Sequence, residues 1–240
     1  MADGETVAVP LAVKTSDLPV RLASATVMLA LAIGALVIGG RVFDTFVVLV
    51  ALAGFVEFVL LVVKATANIP YRLAAILAGA VYFGLAGGVL AGAGECVIVL
   101  IVGVTVFTDS FAYFSGRAIG GPKIAPAISP SKTWAGLIGG MIGAAAWVVL
   151  WVAAIDGGLL GQRFEFMALT GENVGAAALL GAVLAVLAQA GDFFESWLKR
   201  RAGVKDSSRL IPGHGGVFDR VDGMLPVAIA VGALGSVLVN

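Results

Sequence analysis

The sequence predicts an all-α protein, a polytopic bundle of about seven membrane-spanning helices. Of its 240 residues, 60% are hydrophobic and only 12% are charged, and the mean hydropathy is +1.06. A water-soluble domain cannot bury so large a share of apolar residues. A helix needs about 20 mostly apolar residues to cross the hydrocarbon core of a bilayer, and the sequence contains several such stretches. The bilayer is therefore the expected solvent.

Charge and cysteine content exclude several classes of protein. The 15 Lys and Arg residues balance the 15 Asp and Glu residues, which does not favour nucleic acid as a partner. The single Cys96 cannot form an intrachain disulfide, and no His or Cys pair has the spacing of a zinc site. Residues 1–21 lack the basic and apolar regions of a cleaved signal peptide, and we expect a short soluble tail there.

Seven apolar windows are the candidate membrane spans, and an eighth or ninth span from a split or re-entrant segment stays open. Little more than Gly92, Ala93 and Gly94 separates the third window from the fourth, which predicts a tight turn between two helices. The windows lie near residues 22–40, 42–63, 72–91, 94–115, 134–155, 174–191 and 223–239.

The placement of basic residues predicts the orientation of the bundle. With seven spans and a cytoplasmic N-terminus, every Lys and Arg except Arg41 and Arg163 falls on the cytoplasmic side, where short loops favour them. Small residues recur at four-residue spacing, as at Gly136 and Gly140, which predicts close helix packing and favours a homodimer. The two polar loops share no pattern, so the sequence lacks the internal repeat of many transporters.

The first polar segment runs from Thr108 to Gly140. Asp109 lies in an otherwise apolar helix, where an ionised carboxylate is costly, so it is a functional candidate or the structural partner of a basic residue. Gly120 and Gly121 break this helix. Ser129 to Thr133 are then expected to start the next one, where Ser129, Lys132 and Thr133 either form a phosphate cradle or serve as an ordinary helix cap.

The second polar segment runs from Gly191 to Pro226. If its helix continues, Asp192, Glu195, Ser196 and Lys199 share one face, because their spacing is i, i+3, i+4 and i+7. Such a face could hold a divalent cation beside a phosphate. The alternative is a solvated helix end with a Glu195–Lys199 ion pair.

Three glycines surround the only histidine, His214, which predicts a sharp bend or a close approach of the backbone to a ligand. Asp219 and Asp222 follow one helical turn apart, and carboxylate oxygens beside phosphates suit Mg²⁺. Arg220 either pairs with them or reaches a phosphate. Carboxylates for a metal and cations for phosphates together indicate phosphoryl or nucleotidyl transfer.

Two strings of residues resemble the signatures of the phosphatidate cytidylyltransferase family, also called CDP-diacylglycerol synthases. They cover roughly residues 108–226, and the first four windows match the family only in hydropathy. The longer string is Ser196-x-Leu198-Lys199-Arg200-x4-Lys205-Asp206-x5-Pro212-Gly213-His214-Gly215-Gly216-x2-Asp219-Arg220-x-Asp222. The other string joins Asp109-x2-Ala112-Tyr113-x2-Gly116-Arg117 to Ile128-Ser129-Pro130-x-Lys132-Thr133-Trp134-x-Gly136.

The resemblance implies transfer of CMP from CTP to phosphatidic acid, with Mg²⁺ and room for a second cation, at the cytoplasmic face of the inner membrane. It implies Asp192 and Asp219 as principal metal ligands, supported by Asp109 and Asp222. The expected catalytic residues are Asp192, Asp219, Lys199 and His214. The expected substrate contacts are Arg117, Ser129, Lys132, Thr133, Ser196, Arg200, Lys205 and Arg220.

The apolar windows and the resemblance together divide the chain. Residues 1–21 form the tail, 22–107 the N-terminal transmembrane helices, and 108–240 the catalytic region with cytoplasmic loops 116–133 and 192–222. The sequence departs from the family at Ala135, where a Glu is usual. Because a phosphate monoester is already nucleophilic at neutral pH, His214 is expected to orient phosphate and not to act as an obligatory base.

Two alternatives remain at the level of the sequence. The nearer one is another CTP-dependent lipid enzyme, either an isoprenoid or polyprenol kinase or a CDP-archaeol-type synthase. The more remote one is an ion-coupled transporter that uses Glu57 and Asp109 as intramembrane ion sites.

Overall fold

The computed structural model describes residues 18–156 and 173–238. In this part of the chain eight helices and two short strands follow one another. They are α1 (Leu18–Ile38), α2 (Gly40–Ala65), α3 (Ile69–Gly92), α4 (Glu95–Ala118), β1 (Lys123–Ala125), β2 (Ser129–Thr133), α5 (Trp134–Asp156), α6 (Val174–Arg201), α7 (Phe218–Val221) and α8 (Met224–Leu238).

Six helices of the described chain, α1 to α6, are long and apolar enough to cross a membrane. They confirm the first six predicted windows. The seventh window forms α8, an apolar helix with 15 described residues, which is shorter than a full span. Exposed apolar side chains such as Leu29 and Leu77 cover the outer helix faces, as expected of an integral membrane protein whose surface faces lipid.

Short turns connect the first four helices. The α1–α2 turn uses Gly39 and Gly40, both at positive φ, a conformation that glycine adopts without strain. Asn68 caps α3 by accepting a hydrogen bond from the Tyr71 N–H. The predicted tight turn between α3 and α4 is confirmed, since α3 ends at Gly92 and α4 begins at Glu95.

The expectation that Ser129 to Thr133 start a helix is wrong. These residues form β2, which pairs with β1 in a small antiparallel hairpin. Since the rest of the described secondary structure is helical, the predicted all-α class is confirmed. Pro130 explains the difference, because a residue before proline avoids the helical region and proline is tolerated at a strand edge. Helix α5 begins at Trp134, directly after β2. The Thr133 hydroxyl caps α5 by accepting a hydrogen bond from the Gly136 N–H at 3.0 Å.

The helix at the start of the second polar segment does continue. Residues 192–201, predicted as part of a cytoplasmic loop, form the last three turns of α6. They therefore extend the helix rigidly into the polar region, which places their side chains by helical geometry.

The small-residue repeats are used for packing within the chain. Gly136 and Gly140 of α5 face Ala112 and Thr108 of α4, where an added Cβ would lie 3.0 and 3.1 Å from their carbonyl oxygens. Close helix packing is thus confirmed. The feature that favoured a homodimer is accounted for by this internal contact.

Candidate active site

One end of the bundle collects the polar side chains from distant parts of the sequence. It contains the start of α1, the C-terminal ends of α2, α4 and α6, the β-hairpin, and the segment from Ala202 to Asp222, which we call the α6–α8 connection. Lys132 of β2 reaches Asp192 of α6, with 2.5 Å between Nζ and Oδ2. This ion pair joins the two polar segments that the sequence singled out.

A polar cavity of about 320 Å³ lies between α4, β2, the start of α5 and α6. Asp109 and Asp192 supply its carboxylates, and Arg117 and Lys132 supply its cations. Hydroxyl groups of Ser131 and Thr133 complete a lining that could accommodate phosphate and a cation together. The lining is Asp109, Ala112, Tyr113, Gly116, Arg117, Ser131, Lys132, Thr133, Gly136, Leu137, Gln189 and Asp192.

Three carboxyl groups crowd around this cavity. Asp109 and Asp192 are close enough for electrostatic repulsion, and Asp192 lies within hydrogen-bonding reach of Asp222. Burial, together with the neighbouring carboxylates of Asp192 and Glu195, raises the pKa of Asp222 well above its usual range. Lys132 and Arg220 offset part of this negative charge near Asp109. The carboxyl groups nevertheless lie close enough to repel one another.

A second network lies beside the cavity and is centred on Asp219. Lys199 Nζ contacts Asp219 Oδ1 at 2.6 Å and Glu195 Oε2 at 2.5 Å. The backbone N–H groups of Ser207 and Gly216 donate to Asp219 Oδ2 at 2.9 and 2.8 Å. Burial alone would raise the pKa of Asp219, but its hydrogen bonds with Glu195, Lys199, Gly216 and Ser207 lower it far below its usual range.

Glu57 holds the α6–α8 connection against α2. It is only 3% exposed, and its carboxylate accepts hydrogen bonds from the Ser207 and Ser208 hydroxyls at 2.9 and 2.6 Å. The backbone N–H groups of Val217 and Phe218 donate to it at 3.0 and 2.8 Å. Four donors satisfy this buried charge, so Glu57 is not the open ion site that the transporter alternative requires.

The glycines around His214 both bend the backbone and allow a close approach. Gly213 and Gly215 have φ values of +76° and +85°. A Cβ on Gly216 would collide with Glu57 Oε2 and Ser207 Oγ. The predicted bend is therefore confirmed. The close approach at Gly216 is to a protein carboxylate, and the approach to a ligand stays a prediction.

His214 is anchored to α1. The Ser24 hydroxyl lies 2.8 Å from His214 Nδ1 and 2.8 Å from the Pro212 carbonyl oxygen. Because a hydroxyl has one proton, a Ser24 that donates to Pro212 accepts from Nδ1–H, which leaves Nε2 free. Arg220 donates to the His214 carbonyl oxygen at 2.8 Å, so it supports the same turn.

The remaining predicted contact residues surround these groups. Arg117 donates to the Tyr113 hydroxyl at 3.0 Å, and Arg200 donates to the Ile128 carbonyl oxygen at 3.3 Å. Ser129 is buried in β2, Ser196 is half-buried, and Lys205 is exposed. Ala135 is half-buried in the first turn of α5.

Several residues of the site were missed or left without a role by the sequence analysis. Ser24, Ser207 and Ser208 belong to no ligand pattern, and only the fold brings them to Glu57 and His214. Gln189 also lines the cavity, three residues before Asp192 on the same helix face. That spacing was the one signal in the sequence that could have indicated it.

Comparisons with known proteins agree with these motifs. A family model described as the cytidylyltransferase family matches residues 87–238. A phosphatidate cytidylyltransferase of Brucella melitensis biotype 1 is 46% identical over 144 residues, which cover 60% of this chain and 48% of that protein. One from Thermotoga maritima is 39% identical over 129 residues, covering 54% and 45%.

The match to Haemophilus influenzae phosphatidate cytidylyltransferase, 44% identical over 116 residues, covers 48% of this chain and 37% of the relative. The chain thus spans about half the length, or less, of the curated relatives it matches. The matched family region contains the cavity, the Asp219 network and the α6–α8 connection, whereas Ser24 and Glu57 precede it. On the extent of that match, the chain belongs to the cytidylyltransferase family.

Proposed function

We propose that this protein transfers CMP from CTP to phosphatidic acid and releases CDP-diacylglycerol and pyrophosphate. The observation that carries the proposal is the cavity in which Asp109 and Asp192 face Lys132 and Arg117 at one end of a bundle of apolar helices. Membership of the cytidylyltransferase family and relatives named phosphatidate cytidylyltransferase support the choice of substrates.

The site's own residues must bring two polyanions together. Lys132 and Arg117 would bind phosphate groups and reduce their mutual repulsion, since both line the cavity. The lipid phosphate, whose second pKa is near 6 by analogy with phosphorylated side chains, attacks the α-phosphorus of CTP without a strong general base. Alignment of the two phosphates and neutralisation of the departing pyrophosphate then supply the rate enhancement.

The crowded acid groups fit a divalent cation. Asp109, Asp192 and Asp222 repel one another, and a cation such as Mg²⁺ would relieve that repulsion. Asp192 and Asp109 would hold it, with Asp222 in support. When bound, Mg²⁺ would stabilise negative charge on the phosphates. The described residues contain no group of three His, Cys, Asp or Glu side chains already at ligand spacing, so side chains would have to close around the ion.

Asp219 would support the site in another way. Both of its oxygens already accept hydrogen bonds from the protein, with Lys199 on Oδ1 and Ser207 and Gly216 on Oδ2. A cation at Asp219 would have to displace Lys199. Asp192 also has a protein partner, since Lys132 contacts its Oδ2, but Asp192 lines the cavity and Asp219 does not. We therefore propose that Asp219 mainly orients Lys199 and the α6–α8 connection, and that Asp192 is the principal ligand.

We place the active end at the cytoplasmic face of the inner membrane. The basic residues of the sequence favour that side. The relatives named phosphatidate cytidylyltransferase are bacterial, which supports the inner membrane. CTP would then arrive from the cytoplasm, while phosphatidic acid would reach the cavity laterally through the bilayer.

Labelled CTP tests the reaction. Purified protein is incubated with phosphatidic acid, Mg²⁺ and CTP labelled at either the α or the γ phosphate, and label in the lipid is measured. We expect the α label in lipid and none of the γ label. We expect Asp192→Asn to lower turnover by at least about 100-fold, because the variant loses a charge needed in the transition state.

The matched control is Asp44→Asn, the same chemical change near the opposite end of α2, which should retain turnover. Transfer of the γ label would identify a lipid kinase instead. Flux of a solute across liposomes without CTP turnover would identify a transporter, and either result would overturn the proposal.

A further inference from the structure

Gln189 presents an unpartnered amide to the polar cavity. It lies in α6, it is 6% exposed, and it is one of the residues that line the cavity. Its Oε1 is buried without a hydrogen-bond partner, and no hydrogen bond joins its Nε2 to another residue of the described chain. Because neither atom has a protein partner, the amide can rotate and bring Oε1 towards the cavity without breaking a hydrogen bond.

Such an amide is unusual for a folded protein, because most buried polar groups have a partner. Two carboxylates line the same cavity: Asp192 lies one helical turn further along α6, and Asp109 belongs to α4. No other described residue satisfies the amide, so a molecule or ion that enters the cavity is its natural partner.

The chemistry of the neighbours selects a cation. A carbonyl oxygen beside two carboxylates makes an all-oxygen set, which hard divalent cations prefer. The amide can meet either kind of ligand, because Oε1 only accepts and would face a cation, whereas the Nε2–H groups would donate to a phosphate. The two carboxylates of the cavity favour the cation, since they repel a phosphate. A neutral ligand also suits a site with crowded acid groups, because it adds coordination without adding negative charge.

We propose that Gln189 Oε1 is a neutral ligand, direct or through one water molecule, for a divalent cation held by Asp109 and Asp192. The proposal rests on the proposed function for its choice of Mg²⁺ as the resident ion. Gln189 would then keep the cation on the cavity side of α6, next to the phosphates that Lys132 and Arg117 bind.

Thr108 provides a matched control. Its Oγ1 is also buried without a hydrogen-bond partner, and the residue is 0% exposed, but Thr108 does not line the cavity. Thr108→Val therefore removes an equally isolated polar atom beside Asp109 while keeping the shape of the side chain. A general effect of buried unpaired oxygens would appear in both variants, whereas a ligand effect would appear only at Gln189.

The experiment measures binding of Mn²⁺ alone to the full-length protein in detergent, without CTP or lipid, by the electron paramagnetic resonance signal of free Mn²⁺. We expect Gln189→Leu to weaken Mn²⁺ binding about 10-fold, as is usual when a contributing group is removed from a metal site. Gln189→Glu should bind Mn²⁺ at least as tightly as the wild type, and Thr108→Val should bind it equally well. Size-exclusion profiles and thermal unfolding check that each variant is folded, and Gln189→Glu carries the test if Gln189→Leu is not.

Several outcomes overturn the inference: Gln189→Leu with wild-type Mn²⁺ affinity, Gln189→Glu with weakened affinity, an equal loss in Thr108→Val, or a wild-type protein that binds no Mn²⁺. A raised KM for CTP at unchanged Mn²⁺ affinity would make Gln189 a nucleotide contact, which also overturns it. The proposed function fails separately, because Mn²⁺ binding can depend on Gln189 even if no α label from CTP enters lipid.

Discussion

Glu57 shows how a single buried carboxylate organises a loop. It accepts four hydrogen bonds, two from serine hydroxyls and two from the backbone at the start of α7. Ser207 Oγ also lies 2.8 Å from Asp219 Oδ2, so this hydroxyl lies between two carboxylates and can donate its single proton to either one. The conformation of the α6–α8 connection therefore depends on a residue of α2 that lies outside the family match.

Glu57→Gln should loosen this connection. The variant keeps the shape of the side chain but places an NH₂ group against donors, which leaves buried polar groups unpaired. We expect a loss of about 2–4 kcal/mol in the free energy of unfolding. Trypsin should cut faster at Lys205 and Arg209, as seen by limited proteolysis. Glu95→Gln, at an exposed residue, is the control, and equal cleavage of both variants would contradict the role of Glu57.

Gly216 tests the same contact from the other side. Its missing Cβ leaves room for Glu57 Oε2 and Ser207 Oγ, so Gly216→Ala should force them apart and cost at least about 2 kcal/mol of stability. Gly84→Ala is the control, because a Cβ there meets nothing within 4 Å and alanine favours a helix. Thermal unfolding in detergent measures both variants, and the close approach would be refuted by a Gly216→Ala protein as stable as Gly84→Ala.

At the scale of elements, α1 is little buried, but its first turns make specific contacts with the α6–α8 connection. Only 6% of its apolar window is buried, yet Ser24 contacts both Pro212 and His214. A Cβ on Gly213 would lie 2.7 Å from Arg21 Cγ, so the turn before His214 packs tightly on α1. This helix thus positions a residue that lies about 190 residues away in the chain.

Removal of the Ser24 hydroxyl should release the His214 ring. We expect Ser24→Ala to lower turnover about 5- to 10-fold, the effect of one lost hydrogen bond of about 1 kcal/mol or more, and Ser24→Thr to restore it. Thr26→Ala is the control, because that hydroxyl bonds only to Leu22 within α1. The radiolabel assay measures all three. A Ser24→Ala enzyme with normal turnover would show that α1 does not position His214.

The β-hairpin is the other element that decides the site. It carries Lys132 to within 2.5 Å of Asp192, and it returns the chain to Trp134, whose N–H donates to the Pro122 carbonyl oxygen at 3.1 Å. In a helix beginning at Ser129, the Lys132 side chain would have pointed in a different direction. Side chains alternate between two faces along a strand but advance by 100° per residue along a helix. The cavity therefore depends on the strand.

At the scale of the whole molecule, every group of the candidate site lies at one end of the bundle. Contacts between Ser24 and His214, between Glu57 and Ser207, and between Lys132 and Asp192 bring these helix ends together. Arg41, by contrast, lies in the first turn of α2, at the helix end away from Glu57. The predicted orientation puts these two ends on opposite sides of the membrane.

Cysteine labelling tests that orientation. In a Cys96→Ala background, Lys205→Cys should react with a membrane-impermeant maleimide only after cells are permeabilised, because we place the α6–α8 connection in the cytoplasm. Arg41→Cys should react in intact cells. Labelling of Lys205→Cys in intact cells would reverse the orientation, and labelling of both residues from one side would contradict the arrangement of spans.

Much of the fold could be predicted, because apolar helices of membrane length follow from local composition. The six long windows are helices, and the turn at Gly92 to Gly94 lies where the sequence places it. The hairpin could not be predicted from hydropathy, because Pro130 only disfavours a helix there and does not specify the pairing of Lys123 with Thr133. The same applies to the length of α6, because its polar last turns resemble a loop in hydropathy.

The sequence by itself determined that the chain is a bundle of apolar helices of membrane length and which two segments concentrate its polar residues, because hydropathy and charge are properties of each residue. Only the tertiary structure decided how these residues divide their roles. Asp192 and Asp109 line the cavity, whereas Asp219 and Glu57 hold the α6–α8 connection through buried hydrogen bonds. That division depends on long-range contacts, which satisfy Asp219 and Glu57 with several protein donors and place Asp109 and Asp192 in the cavity lining.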